Sequence, residues 1–127
     1  MLANNEVCAT IAVKDMAAAK QYYTDVLGLS AGMESPGGTF FSSGNGGLFV
    51  YPSQYAGTNQ ATSASWTVDD VDAEVEALKA KGVTFEHYDN LPETTLEGDV
   101  HVGYGMRSAW FKDPDGNIFN IVSMPKA

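Results

Sequence analysis

The sequence holds a single cysteine, Cys8, among 127 residues. An intramolecular disulfide and a cysteine-based zinc cluster are both excluded, and a reducing compartment is the expectation. Basic residues are scarce too: 7 Lys and Arg stand against 16 Asp and Glu, for a formal net charge of −9. With no Lys- or Arg-rich run to offset that charge, nucleic acid and anionic membrane are poor partners. Uninterrupted apolar runs of transmembrane length are missing, and the opening Met1-Leu2-Ala3-Asn4-Asn5-Glu6 has neither the basic nor the apolar region of a signal peptide. A cytoplasmic protein with no membrane contact is expected. G-x-S-x-G, H-E-x-x-H and phosphate-loop motifs are also absent, and no nucleophile is placed beside a base.

What is present is a repeat. A chain of this length is expected to form one domain with its own core, and within it the same pattern occurs twice. Thr10-Ile11-Ala12-Val13-Lys14-Asp15-Met16 matches Ser65-Trp66-Thr67-Val68-Asp69-Asp70-Val71 at an offset of 55. In each copy a period-2 apolar alternation predicts a strand, and Val-x-Asp follows it. Asp15 and Asp70 sit at helix N-cap positions, and Gly28 and Gly82 at the C-terminal turns of helices over about 16–27 and 71–81. Val71, Val75 and Leu78 form the apolar stripe of the second helix. Three further strands are predicted after each helix: 30–35, 39–43 and 48–51, then 83–88, 107–112 and 118–122. At an offset of 70, Phe40-Phe41 falls on Trp110-Phe111 and Leu48-Phe49 on Ile118-Phe119. The expected fold is therefore α+β, two tandem βαβββ modules (1–60 and 61–127) forming a curved, cup-like mixed sheet. Residues 89–106 interrupt the second module with a connection too long for a compact domain without a reason. A lid, a dimer arm, disorder or a plain excursion all remain open.

Three segments carry a family resemblance: Val13-x-Asp15, then Tyr22-Tyr23-Thr24-Asp25-Val26-Leu27-Gly28-Leu29, and Phe111-Lys112-Asp113-Pro114-Asp115-Gly116-Asn117. Together they make the chain similar, from about Val7 to Val122, to the glyoxalase, bleomycin-resistance and dioxygenase (vicinal oxygen chelate) superfamily. The same segments have structural explanations, since aromatics anchor the first helix and DPDG is a tight turn, so they speak to fold more than to chemistry.

In metal enzymes of that superfamily each module supplies two ligands. One lies five residues before the Val of Val-x-Asp, the other four after the Gly of the DPDG turn. The resemblance places these positions at Cys8, Ser63 and Asn120, with Val50 as the repeat partner of Asn120. A thiol, a hydroxyl, an amide and an alkyl group make a poor donor set for a divalent ion. The expectation is a protein with no metal and no cofactor. Cys8 is read as a small buried side chain, having no evident cationic neighbour to activate it. His87 and His101, near Glu86, Asp89, Glu97 and Asp99, leave open an unrelated metal cluster or an ordinary surface loop.

Strand alternation then suggests how the cup is lined. If Ile11 and Val13 face the helix, Cys8, Thr10 and Ala12 face the cup, with Ser63, Ser65 and Thr67 from the second module. Asn120, Val50 and an aromatic from each pair, Phe111 among them, complete the lining. Arg107 is either a cation for a ligand carboxylate or half of a structural ion pair. The predicted ligand-binding set is Cys8, Thr10, Val50, Ser63, Ser65, Arg107, Phe111 and Asn120. The function expected is metal-free binding of a small organic molecule, aromatic or cationic, by a homodimer. The alternative is a lyase, isomerase or dioxygenase with a non-standard or absent metal site. Residues 1–60 carry 2 basic and 4 acidic groups and residues 61–127 carry 5 and 12, so a cation would favour the second half. Solubility explains the same charge.

Overall fold

The computed structural model describes residues 1–124. It divides the chain into two compact units, Met1–Thr58 and Asn59 onward.

In the first unit a short 3-10 turn at Leu2–Asn4 precedes β1 (Ala9–Val13), α1 (Met16–Gln21), β2 (Ser30–Ser35), β3 (Gly38–Ser43) and β4 (Gly46–Pro52). The sheet order is β1-β4-β3-β2, with β1 parallel to β4 and the other pairs antiparallel. The Asp15 carboxylate accepts from the Ala17 and Ala18 amides at 2.9 and 3.2 Å, which starts α1 at the expected residue. After Gln21 the helix widens into a π turn over Tyr22–Val26. Thr24 Oγ1 donates to the Lys20 carbonyl at 2.8 Å, the acceptor that an α-helical Thr24 amide would use, and the Leu27 amide reaches back to Tyr22 at 3.2 Å. The extent of the first helix matches expectation; its hydrogen-bond register changes because a hydroxyl competes for the backbone.

The second unit contains β5 (Thr62–Thr67), α2 (Val71–Ala80), β6 (Phe85–Glu86), β7 (Thr95–Glu97), β8 (Val100–Gly103), β9 (Met106–Lys112) and β10 (Ile118–Ser123). Its sheet runs β5-β10-β9-β8-β7, with β6 also pairing β9, and β5 is parallel to β10. Asp70 caps α2 by accepting from the Ala73 amide at 3.1 Å. The helix closes through Gly82 N–H to the Lys79 carbonyl and Val83 N–H to the Leu78 carbonyl, with Gly82 at φ +92°. The α+β architecture of two βαβββ units thus holds. The 89–106 connection is in part a hairpin, β7–β8, whose second strand pairs with β9 through His101 and Ser108. The strand expected over 83–88 shrinks to two residues because β6 and β8 share the same edge of β9. Among the described residues no helix is long and apolar enough to cross a membrane.

Each sheet has one face packed on its helix. In the first unit Ile11, Val13, Phe41, Leu48 and Val50 are buried there with Tyr23, whose ring lies 5.5 Å from that of Phe41. In the second, Val71 and Val75 of α2 are buried with Phe85, Phe111, Phe119 and Ile121. Phe111 stacks on Trp66 at 6.3 Å and meets Phe119 edge-on at 5.7 Å. Burying an aromatic of this size stabilises the fold by roughly 2–3 kcal/mol, which makes these rings the main anchors of each unit.

Strand register corrects two of the expected lining residues. Val50 pairs with Ile11, and paired residues share a face, so Val50 and Leu48 lie on the packed side, opposite Thr10. Phe49, the Thr10 partner, takes the open side instead. Phe111 likewise belongs to the helix-side core, and Trp110 is the aromatic of that pair on the open side. For Val50 the cause is that the repeat offset is not constant, whereas in Trp110-Phe111 two adjacent aromatics fit either face. The offset is 70 for Phe41 and Phe111, but the longer turn before β10 makes it 71 for Val50 and Ile121, which are the partners of Ile11 and Trp66.

Candidate functional site

The open face of the second sheet carries polar and aromatic groups held by a defined set of hydrogen bonds. Ser65 Oγ donates to Asn120 Oδ1 at 3.0 Å, joining β5 to β10. The Asn120 amide nitrogen donates to the Ala109 and Ile121 carbonyls at 3.3 and 3.4 Å, so this buried side chain is engaged at both ends. Ser63 accepts from Asn59 Nδ2 at 3.3 Å. Beside Asn120, Trp110 donates its indole N–H to Thr62 Oγ1 at 3.1 Å and meets Tyr88 and His101 edge-on at 5.5 and 5.0 Å. The structure therefore brings Ser65 and Asn120 into contact.

The other predicted residues are placed differently. Cys8 is exposed, just ahead of β1, which overturns the reading of a buried side chain. Thr10 is exposed on the open side of the first sheet. Arg107 forks onto Asp72 of α2, with Nε and Nη2 at 3.1 and 3.0 Å from the two carboxylate oxygens. It lies on the helix side, where this ion pair is its engagement. Asp72 holds the guanidinium above its ordinary value.

Six residues of the 89–106 connection that the sequence did not assign to a site, Leu91, Pro92, Thr94, Gly103, Tyr104 and Met106, line a cavity of about 190 Å³ together with His101, Ser108 and Trp110. Gly103 is required there, since a Cβ would come within 2.7 Å of Thr94 Oγ1 and 2.8 Å of the Glu93 carbonyl. The sequence held a weak signal for this wall: Val100-His101-Val102 alternates like a strand, and Tyr104 stands beside it.

His101 is 2 % exposed. Its Nε2 accepts the Tyr88 backbone N–H at 2.9 Å, which fixes the proton of the neutral ring on Nδ1, and Nδ1 has no hydrogen-bond partner. Burial first, and the charge of His87 as well, lower the pKa of the ring from 6.5. The Ser108 and Tyr88 backbones act in the opposite direction without offsetting burial. Tyr88 stays a neutral phenol, raised above its ordinary value by burial and then by Glu86. With the Nε2 lone pair already used, the ring is a hydrogen-bond donor and a poor base. His87, by contrast, pairs with Asp99 at 2.8 Å, and Asp99 also holds Lys79 at 2.8 Å. These two partners keep the Asp99 carboxylate below its ordinary value, Lys79 contributing most. Among the described residues no group of three His, Cys, Asp or Glu could hold a metal ion.

The four positions that the resemblance marks for metal ligands do not fit a divalent ion. Val50 has no donor atom, and Asn120 Oδ1 already accepts from Ser65. Exposed Cys8 and neutral Ser63 cannot make up the deficit. Phe49, which register substitutes for Val50 on the open side, has no donor either.

Residues 7–121 match the family model described as Glyoxalase/Bleomycin resistance protein/Dioxygenase superfamily. Solved structures with the same fold include the fosfomycin resistance protein FosX of Listeria monocytogenes, at 16% identity and a TM-score of 0.70, covering 94% of this chain and 93% of that one. Lactoylglutathione lyase of Agrobacterium tumefaciens aligns at 22% identity and a TM-score of 0.67, covering 94% and 93%. TnmS3, an antibiotic binding protein of Streptomyces sp. CB03234, aligns at 22% identity and a TM-score of 0.64, covering 96% and 98%. No curated protein matches the chain in sequence.

Proposed function

The chain belongs to the glyoxalase, bleomycin-resistance and dioxygenase superfamily, and from that premise we propose that it binds a small organic molecule without a metal ion. The observation that carries this reading is the state of Asn120. At the position where the superfamily's enzymes place a ligating carboxylate, this chain has a buried amide whose oxygen and nitrogen are both hydrogen-bonded within its own sheet. Such a group shapes and orients a pocket; it does not hold a cation. Two further features favour binding over catalysis: the His101 lone pair is taken by a backbone N–H, and the lining of the neighbouring cavity offers no nucleophile beside a base. The likeness to an antibiotic-binding structure agrees with this reading as far as fold goes.

A homodimer in the cytoplasm completes the proposal. Leu96 and Tyr104, both exposed on the 89–106 connection, supply apolar surface for a partner chain. Light scattering at working concentration is expected to give twice the chain mass, and a monomer would remove this part. The binding claim is tested by a thermal-shift screen of neutral, cationic and anionic aromatic compounds in excess chelator. At least one class should raise the melting temperature in a concentration-dependent way. Stabilisation seen only after a divalent metal is restored would overturn the metal-free reading.

A further inference from the structure

Backbone strain in this chain gathers around one cavity. Among the described residues, two that are not glycine take a left-handed φ, Glu93 at +52° and Tyr104 at +56°. Tyr104 lines the cavity of about 190 Å³, and Glu93 stands between the lining residues Pro92 and Thr94. The two positions are close in space as well: a Cβ on Gly103, the residue before Tyr104, would fall 2.8 Å from the Glu93 carbonyl. Gly103 pairs with Met106, so Tyr104 and Gly105 (φ +77°) form a two-residue hairpin turn with both φ positive. That geometry favours Asn-Gly and disfavours a bulky ring. Packing does little to offset the strain, because Tyr104 is 61 % exposed. A strained aromatic that the core does not hold, placed at a cavity, points to a role in binding.

We propose that Tyr104 is a ligand-contact residue and that the cavity it lines takes a compact, uncharged, single-ring compound. The proposal rests on the small-molecule reading above and narrows it. The lining holds no Asp, Glu, Lys or Arg, and Leu91, Pro92, Met106 and Trp110 give it an apolar and aromatic surface. A charged group entering it would lose water without meeting a counter-charge. Thr94 Oγ1 already donates to the Pro92 carbonyl at 2.9 Å, so one of the few hydroxyls is engaged within the lining itself. At about 190 Å³ the space is smaller than the usual drug-sized pocket, which favours one ring over several. Recognition at this site comes from apolar and ring contact, and the acidic charge of the second half takes no part in it.

The test is an NMR titration, in excess chelator, of the full chain and two variants with benzyl alcohol, benzoate and benzylammonium, probes of one skeleton that differ in charge. Benzyl alcohol should give saturable shifts at the Trp110 indole N–H and leave that of Trp66, stacked on Phe111 on the helix side, unmoved. The two charged probes should bind more weakly. Tyr104→Asn installs the favoured Asn-Gly turn. It should raise the urea midpoint of unfolding while weakening benzyl alcohol by about five-fold, the worth of one ring contact. Tyr104→Phe keeps the ring and the strain, and should match the wild-type chain in both. A Tyr104 that served only the fold would instead lose stability on conversion to Asn. That loss, unchanged benzyl alcohol affinity in Tyr104→Asn, or tighter binding of a charged probe would each overturn the proposal. So would loss of the dimer in Tyr104→Asn with benzyl alcohol affinity intact, which would assign the ring to a partner chain. If the proposal fails and other organic compounds still bind in chelator, the small-molecule reading survives alone; if none binds without metal, both fall.

Discussion

The two units repeat one plan and differ on the face that the helix does not cover. On the helix side they correspond closely: Asp15 and Asp70 cap, Gly28 and Gly82 close the helical segments, and Ile11, Phe41 and Val50 recur as Trp66, Phe111 and Ile121. On the open side the first unit carries Thr10, Phe40, Phe49 and Tyr51, with Phe49 stacked on Tyr51 at 6.3 Å. The second carries the Ser65–Asn120 pair, Trp110 and, through an inserted hairpin, His101. Packing against the helix fixes the side chains of the helix side in both copies. The open side is not held by that packing, and in the second unit it lines a cavity.

The largest expected effect tests the shared side. Phe111→Ala removes a ring that touches Trp66, Phe85 and Phe119 and should destabilise the chain by about 3–5 kcal/mol in urea unfolding. Trp110→Ala, one residue along but on the open side, should cost only about 1–3 kcal/mol, from its edge contacts and one hydrogen bond. Equal losses would erase the distinction between the faces. Asp113→Ala comes next. The buried carboxylate accepts from the Asp115 and Asn117 amides at 3.0 and 2.8 Å and from Asn117 Nδ2 at 2.8 Å, so its loss should cost about 2–3 kcal/mol. That result would mark the DPDG turn as structural.

A further contrast separates Asn120 from Arg107. Asn120→Leu should cost about 1–3 kcal/mol, since it leaves the Ala109 carbonyl and Ser65 hydroxyl without their partner, and a double-mutant cycle with Ser65→Ala should show coupling. Asp72→Ala breaks an exposed ion pair and should cost under about 1 kcal/mol, less still in high salt.

The pH dependence gives a subtler handle. Burial holds the folded-state pKa of His101 below its unfolded value of 6.5, so between those two values the unfolded chain binds more protons. Stability from this group is complete above about pH 6.5 and is lost as pH falls toward the folded value. Protonation also replaces the Nε2 acceptor with a donor facing the Tyr88 amide. His101→Phe should flatten the stability profile across this window, measured by melting temperature against pH. The Asp99 carboxylate adds a separate loss at lower pH, below its ordinary value of 3.8.

Much of the fold was legible because its signals are local. Val-x-Asp, the capping glycines and the apolar alternation each depend on nearest neighbours, and Asp15, Asp70 and Gly82 sit where those rules place them. Face assignment on β4 and β9 was not legible, because two adjacent aromatics or a run such as Leu48-Phe49-Val50-Tyr51 reads equally well in either phase. Only pairing with Ile11 or Phe119 settles which residue looks inward. The cavity was hidden for a related reason. Leu91 is distant in sequence from Tyr104 and Trp110, and the three come together only once β8 pairs with β9. Ser65 and Asn120 belonged to the predicted site, but nothing in the sequence revealed that they engage each other.

Elemental analysis of the purified chain is the most direct test of the central claim. After incubation with Ni²⁺, Zn²⁺, Mn²⁺ or Fe²⁺ and removal of excess ion, metal content should stay well below one ion per chain, with no change in melting temperature on adding a chelator. A stoichiometric ion whose removal lowers the melting temperature by several degrees would contradict the claim and return the chain to the metal-dependent members of its superfamily.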